Sequence, residues 1–129
     1  MRVSFPVILA VLLAAPGVWA HHSLAPYAMA EVKTVEGTVK NFDWSNPHVR
    51  LNVLVPNGTG GATVWEFEGS SVGRLSSTGF RKDSLAPGDT ITVAYNPRRD
   101  HTLGGFFVAI KLPDGTTLAT DRFRAPVVN

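Results

Sequence analysis

Apolar and polar residues alternate with a period of two over several short stretches of this chain, the spacing of strands with one buried face. The first stretch runs from Val32 to Trp44, with Val35, Gly37 and Val39 on one side and Gly37 marking a bulge or bend. His48 opens the second, in which Val49, Leu51, Val53 and Val55 alternate with Arg50, Asn52 and Leu54. Ala62 to Glu68 is the third, with Trp65 and Phe67 opposite Val64, Glu66 and Glu68. Gly69 to Gly79 then changes period: Ser70 or Ser71 is a candidate N-cap, Val72 and Leu75 fall at helical spacing, and Gly79 is a stop. Strands return at Thr90 to Tyr95, with Ile91 and Val93 inward, at Phe106 to Leu112, and in a short sixth piece at Thr116 to Ala119.

Asn46-Pro47, Pro56 to Gly61, Pro87-Gly88-Asp89 and Pro113-Asp114-Gly115 are turn chemistry, and Asn96 to Gly105 reads as a polar, glycine-rich loop. Three strands, a short helix and two or three more strands predict an all-β fold with one short helix, a small OB-like β-barrel. An open β-sandwich is the alternative. The barrel domain is expected over 32–120, after an extended arm over 21–31 and before a fraying tail over 121–129.

Residues 1–20 follow a different grammar. Arg2 is the only charge, Val3 to Ala15 is apolar apart from Ser4 and Pro6, and Val18-Trp19-Ala20 places small residues at the cleavage offsets. That order is a secretory signal peptide, and its apolar run is shorter than the roughly 20 residues of a membrane span. The expected product begins at His21, periplasmic or secreted, with no later membrane span. Losing Arg2 leaves eleven Lys and Arg against ten Asp and Glu, a balance that gives no drive toward nucleic acid. With no cysteine, stability rests on the core alone.

His21-His22-Ser23 then becomes the sharpest chemical feature. A histidine at the N-terminus offers an amine and an imidazole on one residue, and a metal displaces the amine proton near neutral pH. A third nitrogen completes a set suited to copper(II). His48, beside the Asn46-Pro47 turn, is the first candidate for it, with His22 and His101 in reserve. Trp44 and Asn46 form a second constellation, an aromatic and an amide at the barrel rim suited to a small molecule or an envelope partner. Core packing competes for both Trp44 and Trp65.

Gly69-Ser70-Ser71-Val72-Gly73 matches G-x-S-x-G after a strand and before a helix. A nucleophile elbow needs a large, mostly parallel sheet, which the residues from His21 onward are too few to build, so a serine N-cap explains the match. Glu66 and Glu68 share one side of the third strand, more simply a solvated face than an acid/base pair. There is no P-loop, dinucleotide fingerprint, H-E-x-x-H or C-x-x-C. The residues give little support to an enzyme.

Ala20-His21-His22-Ser23, Gly37-Thr38-Val39, Trp44-Ser45-Asn46-Pro47-His48, Glu68-Gly69, Gly79-Phe80-Arg81-Lys82-Asp83-Ser84-Leu85 and Leu112-Pro113-Asp114-Gly115 together resemble a family of uncharacterised exported bacterial proteins, a domain of unknown function. The resemblance covers nearly the whole chain after Ala20. It implies a periplasmic or extracellular protein with a small β-barrel, and it marks His21, His22 and His48 as the positions to test. It also implies that His101 sits in a variable loop. Two functions follow as expectations: an exported copper-binding protein, and a non-enzymatic OB-like binding module.

Overall fold

The computed structural model describes residues 24–123. Its elements in chain order are β1 (Lys33–Asp43), β2 (Arg50–Pro56), β3 (Ala62–Glu68), α1 (Val72–Ser76), β4 (Thr90–Pro97), β5 (Gly104–Lys111) and β6 (Thr117–Ala119). β1 is long enough to serve two neighbours. Lys33 to Thr38 pairs antiparallel with β4, and Thr38 to Asp43 pairs antiparallel with β2. The switch needs close approach at Gly37, where a Cβ would lie 2.6 Å from the Leu54 carbonyl oxygen and 2.6 Å from Val53. The bulge itself falls two to four residues later, between Val39 and Asn41, so the glycine provides clearance and not the extra residue.

β2 pairs antiparallel with β3, β4 with β5, and β3 closes the ring by running parallel to β5 over Glu66 to Glu68 and Gly104 to Phe106. Order β3-β2-β1-β4-β5 with a β3–β5 closure and a helix between β3 and β4 is the OB-like barrel topology. The closure rules out the open sandwich. Alternation holds as expected on β2, where Leu51, Val53 and Val55 face the interior with Phe67, Ile91, Val93 and Phe107. Leu75 of α1 and Phe80 after it are buried in the same core, and the Phe80 ring lies 5.9 Å from that of Phe107. α1 ends at Ser76 with Ser77 as its C-cap, short of the expected stop, and Gly79 closes the following turn at φ +99°.

β5 is buried along both faces from Gly104 to Ile110. A second apolar cluster accounts for its outer face: Tyr27, Ala94, Phe106, Val108 and Ala109, with Leu24, Met29 and Phe123 packed against them. The arm is therefore not simply extended. It turns at Ala25-Pro26 and at Met29-Ala30, and Tyr27 bridges to Arg98. The tail also departs from expectation over its described part, because Phe123 joins this cluster and Asp121 pairs with Arg74. β4 continues to Pro97 and β5 begins at Gly104, so the predicted polar loop shrinks to Arg98 to Leu103.

Candidate functional site

The β2–β3 ladder continues past both strand ends at one mouth of the barrel. Gly69 N–H donates to the Val49 carbonyl at 2.8 Å, and Val49 N–H to the Ser70 carbonyl at 3.1 Å. Val49 points inward and is fully buried, so His48 and Arg50 point outward. Register sets Arg50 opposite Glu68, which leaves His48 diagonal to Glu68 on the same face, within reach of a carboxylate. The His48 Nδ1 lies 3.0 Å from the Gly69 carbonyl oxygen and 2.9 Å from Glu68 Oε1. A carbonyl only accepts, so Nδ1 carries the proton, and the lone pair of the neutral ring is on Nε2.

The second oxygen of that carboxylate ties down the arm. Tyr27 Oη donates to Glu68 Oε2 at 2.8 Å, and its ring lies 5.5 Å from that of Phe106. Burial first, and then the Glu68 acceptor and its charge, push the Tyr27 phenol up to about 12. One carboxylate thus holds both the arm and His48.

A groove of about 600 Å3 opens beside His48. Leu24, Pro47 and Phe106 give it apolar walls, and Asn46, Ser70 and Arg122 give it polar ones. Asn46 Oδ1 accepts from Val72 N–H at 3.0 Å, which ties the Asn46-Pro47 turn (a cis peptide bond) to the start of α1. Ser71 is the N-cap, accepting from Arg74 N–H, as expected for the G-x-S-x-G segment. Arg74 Nε donates to Asp121 Oδ2 at 2.8 Å and holds that carboxyl below its ordinary range.

Of the residues singled out from the sequence, Asn46 and His48 meet at this groove. Trp44 instead packs against the main core with its ring 5.6 Å from Phe42, and Trp65 lies edge-on to Tyr95 at 6.2 Å. His101 is on the Arg98–Leu103 loop, at φ +63°. His21 and His22 lie outside the described residues. Among the described residues no three His, Cys, Asp or Glu side chains group as a metal cage, and no helix is long and apolar enough to cross a membrane. Sequence reasoning missed Tyr27 and Arg122, read Ser70 as a candidate N-cap, and favoured a solvated face for Glu68.

The barrel topology and this rim define a small OB-like protein with one elaborated mouth. The chain belongs to DUF6152, a family of unknown function, whose model matches residues 9–107. No curated protein sequence matches it. Among solved structures, a mitochondrial single-stranded DNA-binding protein of S. cerevisiae aligns at TM-score 0.49 and 11% identity, covering 64% of this chain and 92% of that one.

Proposed function

We propose that the protein is exported, is cleaved after Ala20, and holds a copper ion between its new N-terminus and His48. The observation that carries this reading is the setting of His48. An imidazole oriented at Nδ1 by a carbonyl and a carboxylate is the arrangement that supports histidine ligands in metal sites. The arm supplies the second support. Leu24 lines the same groove as His48, and His21 is only three residues before it, a span of at most about 11 Å. From there His21 would bring its amine and imidazole, and His22 a reserve imidazole. Three nitrogens of these kinds favour copper(II) in tetragonal geometry. The proposed role is metal binding in the periplasm or outside the cell, with no catalytic step.

Copper titration of the chain beginning at His21 tests this, against a version with one alanine ahead of His21 and against His48→Ala. Tight one-to-one binding lost in both variants is the expected result. Equal, weak binding by all three would sink the proposal. The groove favours a second reading, a binding module for a small molecule at the same rim, because its volume is in the range of small-ligand sites.

A further inference from the structure

We infer that the groove beside His48 takes a small organic carboxylate with an apolar body, held by Arg122, Ser70 and Asn46. The inference rests on the binding-module reading and names its ligand class.

The charges at the groove do not balance. Arg74 and Arg122 both line it, and Asp121 accepts from Arg74 Nε at 2.8 Å and also feels the Arg122 charge. Among the described residues no carboxylate forms an ion pair with Arg122; its guanidinium carbon lies 6.0 Å from the centre of the Phe106 ring. Glu68 faces the other side of His48, where Tyr27 and His48 occupy its two oxygens. Two guanidinium groups against one carboxylate leave a place for one more negative charge.

The polar lining is rich in donors. Ser70 is only 6% exposed, and no hydrogen bond within the described residues takes its hydroxyl. The Asn46 side-chain oxygen is committed to Val72 N–H, which leaves the NH2 of that amide as its other face, again with no acceptor among the described residues. Asn46 is exposed and the Ser70 hydroxyl reaches solvent, so both donors are open to an incoming acceptor. An anion with two oxygens answers both donors and the cation together.

The remaining wall selects the body of the ligand. Leu24, Pro47 and Phe106 are apolar, so a dianion or a polyol would strand polar groups there. A monocarboxylate with a short aliphatic or aromatic body matches both halves of the groove.

The experiment is NMR titration of 15N-labelled protein beginning at His21 with benzoate, and with benzyl alcohol as its neutral counterpart. EDTA is present throughout, so the copper proposal stands or falls separately. Benzoate should shift the amides of Ser70, Val72 and Phe106, and benzyl alcohol should bind at least about tenfold more weakly. Arg122 is exposed, so Arg122→Ala leaves the fold intact and should weaken benzoate about tenfold; Ser70→Ala should weaken it by a smaller factor. Equal affinity for the alcohol, or benzoate binding unchanged in Arg122→Ala, overturns the carboxylate assignment and leaves the module reading standing. No shift at the groove with either probe overturns both.

Discussion

Tyr27→Phe deletes one hydroxyl and little else, because the ring that packs on Phe106 stays. What is lost is the 2.8 Å bond to Glu68 Oε2. A hydrogen bond to a charged group contributes about 1.5–3 kcal/mol. The Glu68 side chain is 34% exposed, so water already competes for it, and about 1–2 kcal/mol is the expected loss. For a domain of this size that lowers Tm by roughly 5–12 °C.

The same variant changes the response to alkali. The folded phenol is raised from 10.0 to about 12, so its contribution is fully present below pH 10 and is lost as pH climbs toward 12. Over that interval the unfolded chain has released the Tyr27 proton while the folded one retains it, and stability must fall with pH. Tyr27→Phe removes that slope. Tyr95, whose phenol is also raised by burial, supplies the same residual slope in both proteins. Urea unfolding followed by tryptophan fluorescence, at neutral pH and stepwise into the alkaline range, reads both effects. Equal midpoints at neutral pH together with parallel decline in alkali would refute the tether.

Gly104→Ala should open the barrel seam. The residue has φ +111°, and a Cβ there would strike the Glu66 backbone, which cannot yield as a side chain does. A loss above about 2 kcal/mol is expected from the conformational penalty plus the clash, with faster amide exchange at Glu68 and Phe106; an unchanged urea midpoint would contradict the assignment. Arg74→Ala removes an ion pair whose side chains are 48% and 40% exposed. It should lower the midpoint slightly in dilute buffer and not at all in concentrated salt, and a salt-independent loss would count against a surface role.

Period-two patterning carried much of the barrel, since β2 and β3 are wet on one face and dry on the other, the situation alternation reports. β5 was expected as a strand over Phe106 to Leu112, but its burial on both faces was not, because residues buried on both faces do not alternate. The elements that cover β5 were equally illegible. Leu24, Tyr27, Met29 and Phe123 belong to segments with no repeat, and their packing depends on where the barrel presents apolar surface. His48 was legible as an isolated ligand type beside a turn. Its partner was not, because alternation gives only the side on which Glu68 lies. That His48 meets Glu68 follows from a register in which Arg50 faces Glu68, and register is a tertiary fact.

The rim assembles around the weakest seam of the barrel. β2 and β3 share seven paired positions, whereas β3 and β5 share three. Arg98 reinforces that short seam, donating to the Leu103 carbonyl at 2.8 Å and the Glu66 carbonyl at 3.0 Å, at the chain segments the seam joins. Glu68 and Phe106 are paired at the last step of the seam. Glu68 orients His48 and anchors Tyr27, while Phe106 walls the groove and lies beneath Arg122. A single closure of three residue pairs therefore brings the arm, the histidine and the groove to one place. Local opening of the seam would part Glu68 from Phe106 and release the arm from His48 before the antiparallel core of β1, β2 and β4 is disturbed. Ligands that bridge the arm and the rim should accordingly slow amide exchange first at Glu66 to Glu68 and Gly104 to Phe106.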